Sequence, residues 1–589
     1  MKGVQTLLLK RGYVLFVAAT GLLAGLSGRA QGVQHLSIIQ PGGMPGLPVM
    51  TGIQKTTNGF KLTWDGPSGD YQVWHKVNLM DPSWLAVGDN TNVSRTATIT
   101  TPHSNDFFRV SGPSPQYGGA MDCASCHGSV YNSQTNTPHA QAFSSAIFAR
   151  AGGQTNPACL ACHTVGFGAP TGFTNVAQTP QLENVQCENC HGPAAVHGAI
   201  PEFTLALPRV ELAAQVCGGC HSAQLAPEEV VAHDPMAFAF EDWSASPHGT
   251  VVPDALQQMA ASTNNINNCG RCHSGSARLA LLEGENPSVT DTNDFDVAIT
   301  CAVCHDPHQT HVWTNELSGV VTNQFDGFVI TNDELGAVYT NQLRNPLSST
   351  NYYSLSTSDV FTNKYNSNIN MCGQCHNARG AAWTDTSRSP HQSDQYNMIL
   401  GDIGVLGTNL APYQPSTHGL MEEQCVYCHM QTAAPQTGPP AVAAVSGHSF
   451  TLTSYQACAK CHGPDTNTIA FFVSFTQSLV LSNGFDGIDD VKALLDTWAT
   501  NTVPNTPALA GLQKYGTLAW EYTTPGDLSA TTNSGPNTAD QALIPDDIKK
   551  ARFDLYLVYY DGSYGVHNGP YAFSLLESAQ SFVTNQLAQ

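Results

Sequence analysis

The pentapeptide Cys-x-x-Cys-His occurs nine times in this chain, and the nine copies use all 18 cysteines. No cysteine is left for a disulfide, a nucleophile or a separate metal site. This spacing is the attachment signature of a c-type haem, in which two thiols bind one porphyrin and the histidine ligates its iron. The sequence therefore predicts nine covalently bound haems.

The motifs are numbered 1 to 9 in chain order. The predicted covalent attachment sites are the two cysteines of each motif: Cys123, Cys126, Cys159, Cys162, Cys187, Cys190, Cys217, Cys220, Cys269, Cys272, Cys301, Cys304, Cys372, Cys375, Cys425, Cys428, Cys458 and Cys461. The predicted proximal iron ligands are the histidines that close the motifs: His127, His163, His191, His221, His273, His305, His376, His429 and His462.

Structural zinc is the main alternative, because two Cys-x-x-Cys pairs can hold one zinc ion. A four-cysteine zinc site does not need a histidine directly after the second cysteine, yet all nine pairs have one. Nine is also an odd number for sites that use two pairs each. The pattern therefore favours covalent haem over zinc.

The first thirty residues have the pattern of a secretory signal peptide. Basic residues precede a short apolar run at 13–26, and Gly28-Arg29-Ala30 suits cleavage. The run is too short to span a bilayer, although a retained anchor is the alternative, and no later segment approaches the ~20 apolar residues of a span. Haem is attached to c-type cytochromes outside the cytoplasm, so we expect an exported protein, periplasmic or extracellular.

Charged residues make up only 12% of the chain, and the formal net charge is −22. Nucleic acid is therefore excluded as an expected partner, because binding it needs clustered Lys and Arg. Redox partner proteins or a terminal electron acceptor suit this charge better. We expect no stable membrane span, and a homo-oligomer or filament stays open.

Residues 31–113 contain no motif and predict a small β-sandwich. Alternating apolar residues at 59–64, 71–75, 96–100 and 107–110 favour half-buried strands. The strand pattern is similar to that of a fibronectin type III module, a type of unit that usually serves in adhesion or spacing.

The expected fold is multidomain: the small N-terminal β-sandwich is followed by a loop-rich, mainly α multihaem cytochrome c domain with C-terminal helices. Helices are predicted at 541–560 and 569–588, where apolar residues recur at helical spacing. The domain assignment is a signal peptide at 1–30, the β-sandwich at 31–113, the multihaem domain with its nine motifs at 114–470, and a helical part at 471–589 that supplies a distal ligand.

Ten further histidines are candidates for the distal, sixth position on the irons: His139, His197, His233, His248, His308, His311, His391, His418, His448 and His567. The other three, His35, His75 and His103, lie in the β-rich module and are not expected to be ligands of the chain's own haems.

Several candidates share a local sequence in which Ser or Thr and then Pro precede the histidine, as at His139, His248 and His391. This pattern predicts a helix start, whose dipole would keep the imidazole neutral and able to bind iron. His308 lies too close in sequence to His305 to reach the opposite face of the same haem. It would have to serve a neighbouring haem, and the same holds for His311 and His197.

Several motif segments resemble a bacterial multihaem cytochrome c family, the group that includes the tetrahaem electron acceptor of hydroxylamine oxidoreductase. The resemblance lies first in residues 159–168 (CLACHTVGFG) and 186–193 (QCENCHGP). Residues 299–308 (ITCAVCHDPH) and 424–430 (QCVYCHM) are similar to the same broader group, and 565–568 (GVHN) resembles a C-terminal ligand segment of larger multihaem cytochromes and reductases. The resemblance implies bis-histidine ligation, packed haem pairs and electron transfer.

The leading hypothesis is therefore a non-enzymatic cytochrome that transfers electrons along nine mostly bis-histidine haems, with no catalytic residue. One alternative is a multihaem reductase or oxidase of a small nitrogen or sulfur oxyanion at one open haem. The Cys-x-x-Cys-Lys motif of ammonia-forming nitrite reductases is absent, since Lys460 lies inside a motif that still ends in histidine. Another alternative is a subunit of an extracellular polymeric cytochrome wire, in which His35 or His103 would ligate a haem of the next subunit.

Overall fold

The computed structural model describes most of the chain from residue 49 onward. The described residues are 49–56, 58–65, 72–76, 85–87, 96–100, 107–111, 117–169, 171–195, 213–222, 239–282, 297–308, 342–344, 371–408, 414–421, 424–432, 445–452, 454–482, 484, 487–529 and 531–588. The predicted signal peptide at 1–30 lies outside them.

Two antiparallel three-stranded sheets form near the N-terminus, and the strand predictions are confirmed. The strands are β1 (Val49–Thr56), β2 (Gly59–Asp65), β3 (Gln72–Lys76), β4 (Leu85–Ala86), β5 (Thr96–Thr100) and β6 (Phe107–Ser111). One sheet has the order β1-β2-β5 and the other the order β4-β3-β6. Residues that alternate along a strand point to opposite faces, which explains the alternating sequence.

Apolar side chains from both sheets share one core. Leu62 and Trp64 of β2 are buried with Val73 of β3 and Phe108 of β6. The rings of Phe60 and Phe108 meet edge to face with centroids 5.3 Å apart, a favoured geometry for aromatic pairs. The two sheets are thus held by side-chain packing.

The rest of the described chain is mostly helical. The α-helices are α1 (Ala120–Ala124), α2 (Gly128–Gln134), α3 (Ala146–Arg150), α4 (Pro157–His163), α5 (Cys187–His191), α6 (Ala214–Gly218), α7 (Ala239–Ala245), α8 (Pro253–Met259), α9 (Thr263–Asn265), α10 (Arg271–His273), α11 (Gly275–Leu282), α12 (Cys301–Cys304), α13 (Gln395–Leu400), α14 (Gln424–His429), α15 (Gln456–His462), α16 (Thr466–Leu481), α17 (Ile488–Thr497), α18 (Val503–Asn505), α19 (Asp546–Asp561) and α20 (Gly569–Leu587). The 3-10 helices are Pro138–Gln141, Gly153–Thr155, Pro180–Leu182, Pro247–Gly249, His418–Leu420, Pro507–Trp520, Asp527–Ser529 and Asp540–Leu543, and the π-helices are Ile266–Gly270 and Trp498–Thr502.

The chain divides into two compact units. An N-terminal unit comprises Met1–His311, Phe328–Arg344 and Thr432–Thr451, and a C-terminal unit comprises Val312–Gly327, Asn345–Gln431 and Leu452–Gln589. Motifs 1 to 6 therefore belong to the first unit, and motifs 7 to 9 to the second. The domain boundary at 470 stays a prediction, whereas these units join motifs 7 to 9 to the C-terminal helices.

The C-terminal unit has a large apolar core of its own. It is built around the antiparallel helices α19 and α20, whose predicted existence is confirmed. Ile548, Leu555, Leu575 and Ala579 are fully buried there, which is what their helical spacing requires. Glycine at position 562 ends α19 with a φ of 69°, a left-handed conformation that glycine adopts without strain.

Described clusters in the motif-bearing part of the N-terminal unit are much smaller. One contains Phe143, Leu160, Val165, Phe173 and Leu182. Two others contain four and three buried residues. The described polypeptide alone therefore offers little apolar core in this region.

Asp554 of α19 is a buried carboxylate that folding must accommodate. It is fully buried, its Oδ1 accepts a hydrogen bond of 2.7 Å from the backbone of Val405, and within the described residues its Oδ2 has no partner. Burial raises the pKa of this carboxyl well above its usual range, although the Val405 bond and Lys550 oppose the shift. The carboxylate charge is therefore a destabilising element of the core.

We expect Asp554→Asn to stabilise the C-terminal unit by about 1–3 kcal/mol at pH 7, because the amide keeps the Val405 bond and removes the buried charge. The folded pKa is raised, so the native protein loses stability as pH rises from the unfolded pKa through the folded one. The gain should thus vanish near pH 4. Thermal unfolding followed by circular dichroism at both values checks this.

The matched control is Asp546→Asn on the same helix, where the carboxylate is exposed. That variant should give no gain, since it removes a favourable charge at the first turn, about 0.3–1 kcal/mol, and the ion pair with Lys549 at 3.5 Å. An equal gain at pH 4 and pH 7 for Asp554→Asn would contradict the argument.

Candidate functional site

The motifs fold as single helical turns. In motifs 1, 4, 6 and 7 the backbone N–H of the histidine donates a hydrogen bond of 2.8 Å to the carbonyl of the first cysteine. Residues three and four apart lie on the same face of a helix. The two cysteines and the histidine of each such motif are therefore presented together.

Local capping sets where several motif helices begin. Asn156 caps α4 by accepting a hydrogen bond from Ala158, and Gln186 and Asn189 form a reciprocal capping box at α5. Such caps satisfy the N–H groups that the first helical turn leaves unbonded. They fix the start of motifs 2 and 3.

Glu188, inside motif 3, ties this motif to the start of the haem region. Its buried carboxylate accepts hydrogen bonds from the backbone of Gly118, Gly119 and Ala194, the shortest being 2.7 Å to Ala194. Burial raises its pKa, and these three N–H groups oppose the shift. The residue between the two motif cysteines thus serves as a structural anchor.

Five candidate distal histidines face motif histidines. The ring pairs, with their centroid distances, are His139–His221 at 6.3 Å, His191–His308 at 5.8 Å, His305–His448 at 6.2 Å, His418–His462 at 6.1 Å and His429–His567 at 6.2 Å. In every pair one ring closes a motif and the other is one of the ten candidates. Each pair lies within one compact unit.

These separations fit one iron between two imidazoles. Each metal–nitrogen bond is about 2 Å and each ring centroid lies about 1 Å behind its nitrogen, so the centroids should be roughly 6 Å apart. Direct ring contact would bring the centroids closer, as in the stack of Phe148 on His163 at 4.0 Å. The residues therefore fit haem iron with histidine on both faces.

Hydrogen-bond acceptors hold the Nδ1 atoms of many of these rings. The Nδ1 contacts are Ala142 O with His163 at 2.7 Å, Gln395 Oε1 with His376 at 3.4 Å, Ser393 Oγ with His391 at 3.0 Å, Val566 O with His418 at 2.9 Å, Ser446 O with His448 at 3.2 Å, and Asp561 Oδ1 with His567 at 2.6 Å. An acceptor at Nδ1 leaves Nε2 as the metal-binding nitrogen and fixes the ring.

The expected helix starts at the distal histidines are only partly present. His139 and His248 lie in single-turn 3-10 helices after their Pro residues, and His391 lies in no helix. Burial, followed by the neighbouring imidazoles of His221, His305 and His163, lowers the pKa of His139 to about 4. Desolvation, and not a helix dipole, keeps this ring neutral, because a single turn has almost no dipole.

His308 lies against His191 and not against His305 of its own motif. The peptide that follows motif 6 thus reaches motif 3, the arrangement that the short spacing requires. The carboxylate of Asp306, 3.5 Å from the His308 Nδ1, is also 3.3 Å from Arg344. The Arg344 guanidinium thereby offsets the negative charge beside this imidazole.

Two more candidate distal histidines, His248 and His391, are described but are not among the five pairs. The ring of His248 meets Phe450 edge to face at 4.4 Å, and His391 bonds Ser393 as above. The candidates outside the described residues are His197, His233 and His311. Of the three histidines not expected to be ligands, His75 lies on β3, and His35 and His103 are outside the described residues.

Thiols of different motifs also lie close together. Four pairs of thiols are close enough to shift each other's pKa: Cys123–Cys187, Cys162–Cys220, Cys217–Cys301 and Cys372–Cys425. They bring together motifs 1 and 3, motifs 2 and 4, motifs 4 and 6, and motifs 7 and 8. The neighbouring Cys123 lowers the pKa of Cys187 to about 7. Burial raises the pKa of Cys428 to about 11, and the neighbouring Cys458 of motif 9 adds to this.

Sequence comparison assigns two parts of the chain to known families. Residues 122–192, with motifs 1 to 3, match the family described as cytochrome c554 and c-prime. Residues 268–471, with motifs 5 to 9, match the family described as outer membrane cytochrome MtrC/MtrF-like, domains II/IV. The chain is a multihaem c-type cytochrome.

Cytochrome c-554 of Nitrosomonas europaea is 34% identical to this cytochrome over 110 residues, which cover 16% of this chain and 46% of that protein. The chain thus spans about half the length of this curated relative.

Among solved structures, the outer cell wall cytochrome OcwA has a TM-score of 0.45 and 18% identity, covering 79% of this cytochrome and 99% of that chain. An undecahaem cytochrome from the S-layer of Carboxydothermus ferrireducens has a TM-score of 0.37 and 18% identity, covering 90% and 62%. No helix among the described residues of the cytochrome is long and apolar enough to cross a membrane.

The residues that hold the histidines from behind were not predicted from the sequence. Ala142 and Val566 act through backbone carbonyls, which no side-chain pattern reveals. Asp561 stands six residues before His567. A carboxylate and a histidine at this spacing across a tight turn were the signal in the sequence that could have indicated their contact. The pairing of motifs was also hidden, because it joins residues far apart in the chain.

Proposed function

We propose that this chain is an exported electron conduit that holds nine covalently attached haems, mostly with histidine on both faces of the iron. The observation that carries the proposal is the set of five imidazole pairs with centroids 5.8 to 6.3 Å apart. An iron with two histidine ligands has no open position for a substrate. This arrangement suits electron transfer and not catalysis.

When bound, each haem supplies a one-electron couple between ferric and ferrous iron. The chain's residues do the rest of the work. Motif cysteines tether the porphyrin, paired imidazoles supply the axial nitrogens, and acceptors such as Val566 O and Ser446 O hold those rings in one orientation. Fixed ligands limit the rearrangement that accompanies each electron.

The thiol contacts support an order for electron transfer within each unit. Because each thiol is bonded to a porphyrin edge, touching thiols bring two porphyrins together. In the N-terminal unit the order would be motifs 1, 3, 4 and 6, with motif 2 beside motif 4; the Cys190 thiol of motif 3 lies near Cys220 of motif 4. In the C-terminal unit it would be motifs 7, 8 and 9.

The five pairs include five of the nine motif histidines; the other four are His127, His163, His273 and His376. Five candidates remain for them, namely His197, His233, His248, His311 and His391. The number of histidines is therefore sufficient for bis-histidine ligation at all nine irons. Distal assignment of these five is part of the proposal.

The family matched by residues 268–471 is one of outer membrane cytochromes, which supports work outside the cytoplasm together with the predicted signal peptide. The acidic charge of −22 favours a basic redox partner or a terminal acceptor. We propose that the two N-terminal sheets form a fibronectin type III-like sandwich that acts as a spacer; their shared core supports this.

The test is a haem count combined with an EPR spectrum of the air-oxidised holoprotein. We expect nine haems per chain by mass spectrometry and a spectrum that is entirely low-spin, because the chain has enough histidines to give every iron two nitrogen ligands. A high-spin component of about one iron per chain would contradict a pure conduit and favour a reductase with one open haem.

A further inference from the structure

Among the described histidines whose Nδ1 bonds are given above, His567 has an unusual partner. Its Nδ1 lies 2.6 Å from Oδ1 of Asp561, whose side chain is only 3% exposed. His163, His418 and His448 face neutral backbone carbonyls in the same role. A buried carboxylate therefore stands directly behind the imidazole that faces His429.

A second feature of Asp561 is that no cation neutralises its charge in the part of the chain that the structure describes. Within the described residues no Lys or Arg lies in salt-bridge distance of it, unlike Asp306, which pairs with Arg344. The Ser563 hydroxyl donates to the other oxygen, Oδ2, and the Ser563 Oγ accepts the backbone N–H of His567 at 3.0 Å. These bonds fix both the carboxylate and the imidazole.

An imidazole that donates Nδ1–H to a carboxylate is a more basic ligand at Nε2, so it stabilises ferric more than ferrous iron. A buried negative charge acts in the same direction, because low dielectric strengthens its field. A neutral carbonyl acceptor stabilises ferric iron much less, because it carries no net charge.

We propose that Asp561 is a positioning residue that acts through His567 to make the haem of motif 8 the most reducing haem of the C-terminal unit. The inference rests on the proposed function, since it requires that His567 and His429 ligate the same iron. Motif 8 touches motif 7 through Cys425 and lies beside motif 9 through Cys428. The middle site of a three-haem row would thus be the hardest to reduce, and electrons would settle on the outer two.

The experiment is a spectroelectrochemical titration of the full holoprotein and its Asp561→Asn variant. The amide still accepts the Nδ1–H bond but carries no charge. We expect the reduction equilibrium of one haem to shift at least tenfold toward ferrous iron, about 59 mV for a one-electron couple. The low-spin EPR signal of the same haem should change with it.

A second variant tests the same inference if Asp561→Asn folds poorly. Ser563→Ala removes a donor from the carboxylate, which leaves it a stronger acceptor for His567 and should shift the same haem in the opposite direction. The matched control is Asp394→Asn, a fully buried carboxyl close to Asp561. Burial and then the charge of Asp561 raise the pKa of Asp394 well above its usual range. Among the described residues neither of its oxygens has a hydrogen-bond partner, so it does not act through His567 and its replacement should shift this potential much less than Asp561→Asn does.

Failure of this inference and failure of the proposed function can be told apart with His567→Ala. Suppose that this variant gains a high-spin haem, while Asp561→Asn changes no haem's reduction equilibrium by threefold or more. The assignment of His567 as a ligand then stands, and the role of Asp561 is overturned. If His567→Ala stays entirely low-spin, His567 is not a ligand, and the inference falls together with the His429–His567 pair. The electron conduit itself is overturned only by a high-spin iron in the unaltered holoprotein.

Discussion

Without attached haem, the chain is expected to lose the fold of the motif-bearing region at 117–308 and to keep the helical core of its C-terminal unit. The C-terminal core contains 30 buried residues among those described, and each fully buried Leu, Ile or Phe contributes about 1.5–3 kcal/mol. The described clusters at 117–308 contain only five, four and three buried residues. Ordering a backbone costs about 1–2 kcal/mol per residue, so such clusters are insufficient without the porphyrins.

The measurement is hydrogen exchange with mass spectrometry on a chain produced without the predicted signal peptide, so that haem is not attached. Peptides from α19 and α20 should stay protected, whereas peptides from 117–195 and 239–282 should exchange at the rate of an unfolded chain. The holoprotein is the control and should protect all of them. Equal protection of both regions in the apo chain would show that the polypeptide packs without its cofactors.

Replacing His139 with alanine is expected to convert about one iron per chain from low-spin to high-spin. His139 faces His221 at 6.3 Å, so its loss would leave motif 4 with one axial nitrogen. The reduced variant should also bind carbon monoxide at that one iron, because the sixth position is open. EPR of the oxidised form and absorbance of the reduced form with the gas measure both effects.

His139→Met extends this test, because a methionine ligand would restore six-coordination and raise the potential of the same haem. His75→Ala is the matched control, since His75 lies on strand β3 of the N-terminal sheets. It should remain low-spin and should not bind carbon monoxide. If His139→Ala behaves like this control, His139 is not the partner of His221.

The local geometry of the candidate haem sites was largely predictable from the sequence, because the chemistry of haem attachment requires fixed local spacing. Two cysteines and a histidine within five residues must share one helical face, so motif 4 needs no distant residue to present Cys217, Cys220 and His221. The strands near the N-terminus and helices α19 and α20 were predictable for the same reason. Their burial patterns follow the periods of the elements themselves.

The partners across the fold could not be predicted. His448 faces His305 from 143 positions away along the chain, and no local rule selects that histidine over another. The interpretation of the His139 segment as a helix start gave a neutral imidazole for the wrong reason, since burial depends on packing that sequence spacing does not describe. The role of Asp561 likewise emerges only when the turn brings it behind His567.

The sulfur contacts between motifs have a consequence for how the protein is made. If an unattached chain reached this arrangement in an oxidising compartment, thiols as close as Cys123 and Cys187 would form a disulfide between two different motifs. Maturation must therefore join cysteine to porphyrin while the chain is still reduced and extended, so that folding follows attachment.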